Sequence, residues 1–127
     1  MREILFRGKR TDNGEWIEGD LLQYLASGKM HIVRRCLGAG GVEIIPETVG
    51  QYTGLTVNGT ELFEGDVIRR KGNFMASNYV VKYIDKYAAF IGMARGNNEI
   101  YLHRCDENFV VIGNIHDNPE LSKEYKK

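Results

Sequence analysis

Short apolar runs, separated by turns built on glycine and asparagine, set the rhythm of this chain. Ile4-Leu5-Phe6 is the first run. Asp12-Asn13-Gly14 then signals a turn, because Asn and Gly accept the positive φ that tight hairpins require. Residues 16–25 read as a strand interrupted at Gly19 by a bulge or bend. Ser27-Gly28-Lys29 is the next turn, and residues 30–36 alternate well enough for another strand. Leu37-Gly38-Ala39-Gly40-Gly41 is glycine-rich but lacks the Lys-Ser/Thr ending of a phosphate cradle. A short strand over residues 42–45 ends at Pro46.

The richest stretch is residues 51–68. Gln51-Tyr52-Thr53 runs into Gly54, Asn58-Gly59 makes a hairpin turn, Leu62-Phe63 resumes, and Glu64-Gly65-Asp66 turns the chain into a strand at Val67-Ile68. Residues 79–84 and 88–93 form a hairpin around Asp85-Lys86, with Tyr79, Val81 and Tyr83 on one face and Val80, Lys82 and Ile84 on the other. Residues 99–102 fit a strand or a helical turn equally. Residues 109–115 are the last strand. Asn118-Pro119-Glu120 starts a short helix at about 119–126, with Asn as cap and Pro at the first helical position. Leu121 and Tyr125 must dock it, because so short a helix is unstable alone.

Many short strands with tight turns imply an all-β fold: a single mainly antiparallel domain over residues 1–127, a partly open barrel or a sandwich. The 127 residues suffice for a core without disulfides. Its expected members are Ile4, Phe6, Trp16, Leu21, Ile32, Tyr52, Leu55, Leu62, Val67, Val81, Ile84, Phe90, Val111 and Ile112.

Two stretches echo each other. Asn13-Gly14 leads through Trp16-Ile17 to Glu18-Gly19-Asp20, as Asn58-Gly59 leads through Leu62-Phe63 to Glu64-Gly65-Asp66. The reading is either a chance recurrence of common turn residues or two copies of a hairpin-and-corner unit. In the second case each central glycine takes a positive-φ corner.

Three blocks then resemble the YopX family, small proteins encoded by phages and prophages. They are Arg2-Glu3-Ile4-Leu5-Phe6-Arg7; Gln51-Tyr52-Thr53-Gly54-Leu55 with Asn58-Gly59 and Glu64-Gly65-Asp66-Val67-Ile68; and residues 111–121, VIGNIHDNPEL. Residues 73–98 carry little of the likeness. The resemblance implies an all-β core with a helical tail and a mobile-element origin. It implies no reaction. Thr56-Val57 stands where similar proteins tend to have Asp and Lys before Asn-Gly, which argues against a role for charge in that turn.

Charge narrows the function classes. Seventeen basic and seventeen acidic residues cancel, which argues against nonspecific polyanion binding but leaves room for a local patch. No apolar run reaches membrane-span length, and the N-terminus lacks the apolar core of a secretory signal, so a cytoplasmic location in a bacterial host is expected. Cys36 and Cys105 lack CxxC spacing and read as free thiols.

Residues suited to four chemistries occur along the chain. Glu18, Asp20, Glu64 and Asp66 offer oxygen ligands for a divalent metal if the two corners converge; solvated turn residues are the plainer reading. His31, Cys36, His103, Cys105 and His116 lack the paired spacing of a structural zinc site. No nucleophile motif is present. Arg34-Arg35 and Arg69-Arg70-Lys71 each close a strand, and Trp16, Tyr52, Tyr83, Tyr87 and Phe90 are among the aromatics. A small β-barrel binding single-stranded nucleic acid uses such residues, whereas edge guards and core rings are the plainer alternative. The expectation is a phage or prophage accessory protein that works by binding, without catalysis and without a cofactor. Its partner is a second copy or a host or phage protein. Nucleic-acid binding is the alternative, and a metal-dependent enzyme the second alternative.

Overall fold

The structure is a computed structural model that describes residues 2–34, 41–72, 77–105 and 107–124. Arg35, Cys36 and Tyr125 lie outside them. The chain is all-β, with two antiparallel sheets, neither closed into a barrel. It divides into two compact units, residues 1–52 and 53–127.

The first unit holds β1 (Phe6–Lys9), β2 (Trp16–Gln23), β3 (Met30–Val33), β4 (Val42–Ile44) and the start of β5 (Gly50–Val57). Their order is β4-β3-β2-β1-β5, all antiparallel. The far end of β1 curls toward β4: Arg10 bridges Ile44, and the Ile45 N–H donates to the Lys9 carbonyl at 2.8 Å. Ile17, Ile32 and Ile44 form the buried cluster, with Phe6, Leu21, Met30, Val42 and Val49 packed on it. Each fully buried aliphatic side chain of this kind contributes about 1.5–3 kcal/mol. Trp16 stays outside the cluster and half-buried, under the guanidinium of Arg7 (4.7 Å) and the ammonium of Lys9 (5.4 Å). Ile4, expected inside, is 49% exposed ahead of β1.

β2 runs straight through Gly19, which pairs with Phe6 without a bulge. Gly19 is buried, and a Cβ there would fall on the Val33 carbonyl oxygen and lie 2.9 Å from Ile32 Cγ2. Glu18-Gly19-Asp20 is therefore strand interior, where glycine admits a neighbouring strand, and not a positive-φ corner.

The second unit begins as β5 passes Tyr52 and forms a hairpin with β6 (Thr60–Phe63). Asn58 (φ 51°) and Gly59 (φ 81°) supply the two left-handed residues of the turn. A five-stranded sheet follows, in order β10-β9-β8-β7-β11, from β7 (Asp66–Arg70), β8 (Tyr79–Ile84), β9 (Ala89–Ala94), β10 (Asn98–Tyr101) and β11 (Phe109–Asn114). Val57, Leu62, Ile68, Val81, Leu102 and Phe109 form its buried cluster. Val80 and Val81 are both buried, so alternation in β8 sorts side chains by face but not by exposure.

Gly65 is a true corner. Its φ is 90°, its N–H donates to the Val81 carbonyl and its carbonyl accepts from the Ile115 N–H, both at 2.9 Å. Beside it, Asp66 Oδ2 accepts from the Phe63 N–H at 2.8 Å. The tail at Pro119–Glu124 is a 3-10 helix. Asn118 Oδ1 accepts from the Asn114 N–H at 3.3 Å, and Asn78 Nδ2 donates to the Leu121 carbonyl at 3.3 Å, which ties the tail to the second unit.

Candidate functional site

The sequence-predicted residues divide between the two units. Arg34 is exposed just past β3 in the first unit. In the second unit Arg69, Arg70 and Lys71 follow one another at the end of β7, so successive side chains leave on opposite faces. Arg69 is half-buried, with its Nε buried and without a hydrogen-bond partner. Arg70 lies over the buried Phe109 ring at 4.7 Å, and the Lys71 N–H donates to the Asn108 carbonyl at 2.6 Å.

Of the acidic residues, Glu18 is exposed and Asp20 half-buried, two apart on β2 in the first unit. In the second unit Glu64 is half-buried and Asp66 is only 3% exposed. The Asp66 carboxylate is committed to the Phe63 N–H, a structural duty that the sequence did not announce. No group of three or more His, Cys, Asp or Glu suited to a metal occurs among the described residues. His103 is exposed, and His31, His116 and Cys105 are half-buried.

A different feature does bring functional groups together, and it arises from how β10 ends. The pairing of β10 with β9 runs from Asn98↔Ala94 to Tyr101↔Ile91 and stops. Leu102–Arg104 then turns off as a 3-10 helix, whose Leu102 side chain enters the core. β9 still has Ala89 and Phe90 to run, paired with Ile84 and Tyr83 of β8 on the other side. The result is a notch in the sheet edge.

The notch is a cavity of about 380 Å³ lined by Leu55, Tyr87, Ala89, Phe90, Ile91, Tyr101, Leu102 and His103. Its volume is at the low end for a ligand site. The lining is mostly aliphatic and aromatic. Leu55, expected in the core, is 36% exposed on this wall, because β5 beyond Gly54 runs along the surface before Val57 turns in. Tyr87 (43% exposed) and Tyr101 (57%) are large rings left facing water.

The two tyrosines are held in place. Tyr87 Oη donates to the Glu99 carboxylate at 3.1 Å from Oε1 and 3.3 Å from Oε2, linking the β8–β9 turn to β10. That hydrogen bond, with the charge of Glu99, raises the Tyr87 phenol above the ordinary tyrosine pKa. Tyr101 stacks with His103 at 5.9 Å between centroids. Lys86 Nζ lies 5.6 Å from the Tyr87 ring and the Arg104 guanidinium 5.9 Å from the Tyr101 ring. Each tyrosine wall thus carries a cation.

Sequence reasoning missed Tyr101, Leu102 and His103 as a group. The available signal was the undecided character of residues 99–102, because the strand that turns helical is what opens the notch.

Among the described residues no helix is long and apolar enough to cross a membrane. None of the curated proteins matches the chain. The family model described as YopX protein matches residues 5–123, nearly the whole length and both units. On that match, the chain belongs to the YopX family.

Proposed function

We propose that this protein is a phage or prophage accessory protein that acts in the bacterial cytoplasm by binding another protein, without catalysis, and that the notch beside β10 is the contact surface. The observation that carries this reading is the pair of exposed tyrosines, Tyr87 and Tyr101, braced by hydrogen bonding and stacking around an apolar floor. Rigid, half-exposed aromatic rings with adjacent cations are the composition of interface hot spots. Desolvating them stabilises a complex at little cost in side-chain entropy.

The test is capture of a partner from host lysate by the wild type and by two surface variants, Tyr101→Ser and Leu55→Asp, alongside sedimentation to detect a second copy. Loss of the captured protein, or of self-association, in both variants at unchanged melting temperature supports the reading. Equal capture by all three forms overturns it.

A second reading places single-stranded nucleic acid along Arg69, Arg70 and Lys71. Three successive cations at one strand end, with Arg70 and Lys71 exposed, favour it. Its signature is binding to oligothymidylate that weakens steeply with salt.

A further inference from the structure

The hairpin of β2 and β3 ends in apolar side chains that the rest of the chain leaves uncovered. Tyr24 closes its turn: the Tyr24 N–H donates to the Lys29 carbonyl at 2.9 Å, and the Tyr24 carbonyl accepts from the Gly28 N–H at 2.8 Å. Gly28 supplies a left-handed residue at φ 76°. Leu25, inside this turn, is 92% exposed, Tyr24 48% and Leu22 43%. Leu22 and Tyr24 both adjoin His31, the first as its cross-strand partner and the second ring edge to ring face at 4.9 Å. One exposed leucine is ordinary, but apolar residues grouped at the end of a hairpin mark an interaction surface.

The charge of this stretch is one-sided. From Leu21 to Val42 there is no carboxylate, whereas Lys29, Arg34 and Arg35 are cations. Lys29 is exposed at the tip, and Arg34 is exposed past the far end of β3. Going back from the tip, the first carboxylates are Glu43, opposite His31 on β4, and Asp20, opposite Val33. Both are half-buried.

We infer that the tip of the β2–β3 hairpin docks on an anionic lipid surface. Leu25 and Leu22 enter the interfacial layer, the Tyr24 ring lies at headgroup level, and Lys29 meets the lipid phosphates. Tyrosine suits that depth because its ring is apolar and its hydroxyl polar. A cation beside an anionic bilayer adds electrostatic attraction. A bilayer receives projecting apolar groups without a preformed pocket, whereas a protein partner needs a cavity shaped to Leu25. A nucleic-acid strand would use the cations and leave the leucines without a role. With so few groups entering, the association is weak and reversible. The hairpin belongs to the first unit and the notch to the second, so vesicle binding and capture through the notch can fail independently.

The test is sedimentation of the full-length protein with vesicles of phosphatidylcholine alone, or of phosphatidylcholine and phosphatidylglycerol in equal parts. The wild type should sediment with the anionic vesicles, less with the neutral ones, and less again as salt is raised. Leu25→Asp and Lys29→Glu should each weaken binding about tenfold, and Leu25→Phe should retain it. Both positions are exposed, so these variants should keep the melting temperature of the wild type. Arg95→Glu removes an exposed cation from the second unit and should bind as the wild type does. No sedimentation with anionic vesicles at low salt overturns the inference. Equal binding of Leu25→Asp, or equal binding to both kinds of vesicle, does so too. Binding of oligothymidylate without binding of vesicles also overturns it and assigns the hairpin cations to a polyanion.

Discussion

The Asp66 carboxylate accepts a hydrogen bond from the Phe63 backbone N–H at 2.8 Å, both residues being buried. This bond closes the turn around Gly65 from which β7 enters the core. Asp66→Ala removes a charged acceptor from a buried donor and should cost about 2–3 kcal/mol. Asp66→Asn retains an oxygen acceptor and, together with Glu64→Gln, should cost under about 1 kcal/mol. Urea unfolding of the three forms checks the ordering. Equal losses for Asp66→Ala and the double variant would show that the hydrogen bond is not what matters.

Gly19 and Gly65 occupy matching places in the sequence echo and are needed for different reasons. Gly65 requires a left-handed backbone, so Gly65→Val should cost about 1–3 kcal/mol and Gly65→Asn less, because Asn tolerates positive φ. Gly19 requires space against Val33 and Ile32, so Gly19→Ala alone should cost about 1–3 kcal/mol, with no relief from Asn. Thermal melts of the four variants distinguish the two causes. The same milder effect of Asn at both positions would contradict the assignment.

Ala88 takes φ 51° as the last residue before β9, in a turn where its N–H donates to the Asp85 carbonyl at 3.0 Å. A left-handed non-glycine residue carries about 1–2 kcal/mol of strain, whereas glycine adds about 0.5–1 kcal/mol of unfolded-chain entropy. Ala88→Gly should therefore be neutral or stabilising by up to about 1 kcal/mol, and Ala88→Val destabilising. Equilibrium denaturation decides the sign.

The Tyr87–Glu99 hydrogen bond gives the cleft a pH signature. Tyr87 is protonated when it donates, and its folded pKa is raised by the bond and by the charge of Glu99. The contribution to stability is complete below the unfolded tyrosine pKa of about 10 and is lost as pH rises through the higher folded value. Carbon-13 NMR of the Tyr87 ring should show it titrating nearer the ordinary tyrosine value in Glu99→Gln than in the wild type. An unchanged midpoint would mean that the bond does not form in solution.

Much of the strand pattern is legible in the sequence, because turn chemistry is local. Asn58-Gly59, Ser27-Gly28 and Gly65 bound strands where their backbone preferences put them. Ile32, Tyr52, Leu62, Val67 and Val81, all expected in the core, are buried. Leu55 is not, because its place depends on where the β5–β6 hairpin leaves the core, which no local pattern encodes. The Glu-Gly-Asp echo misleads for the same reason: three identical residues lie mid-strand in one unit and at a corner in the other. The cleft was illegible because it depends on register. Only the endpoint Tyr101↔Ile91 shows that Ala89 and Phe90 are left over.

Binding through the notch is read out by hydrogen–deuterium exchange of the protein alone and with its captured partner. Slowed exchange confined to residues 87–91 and 99–103 is the predicted result. Protection centred on residues 69–71, with the notch unchanged, would contradict it.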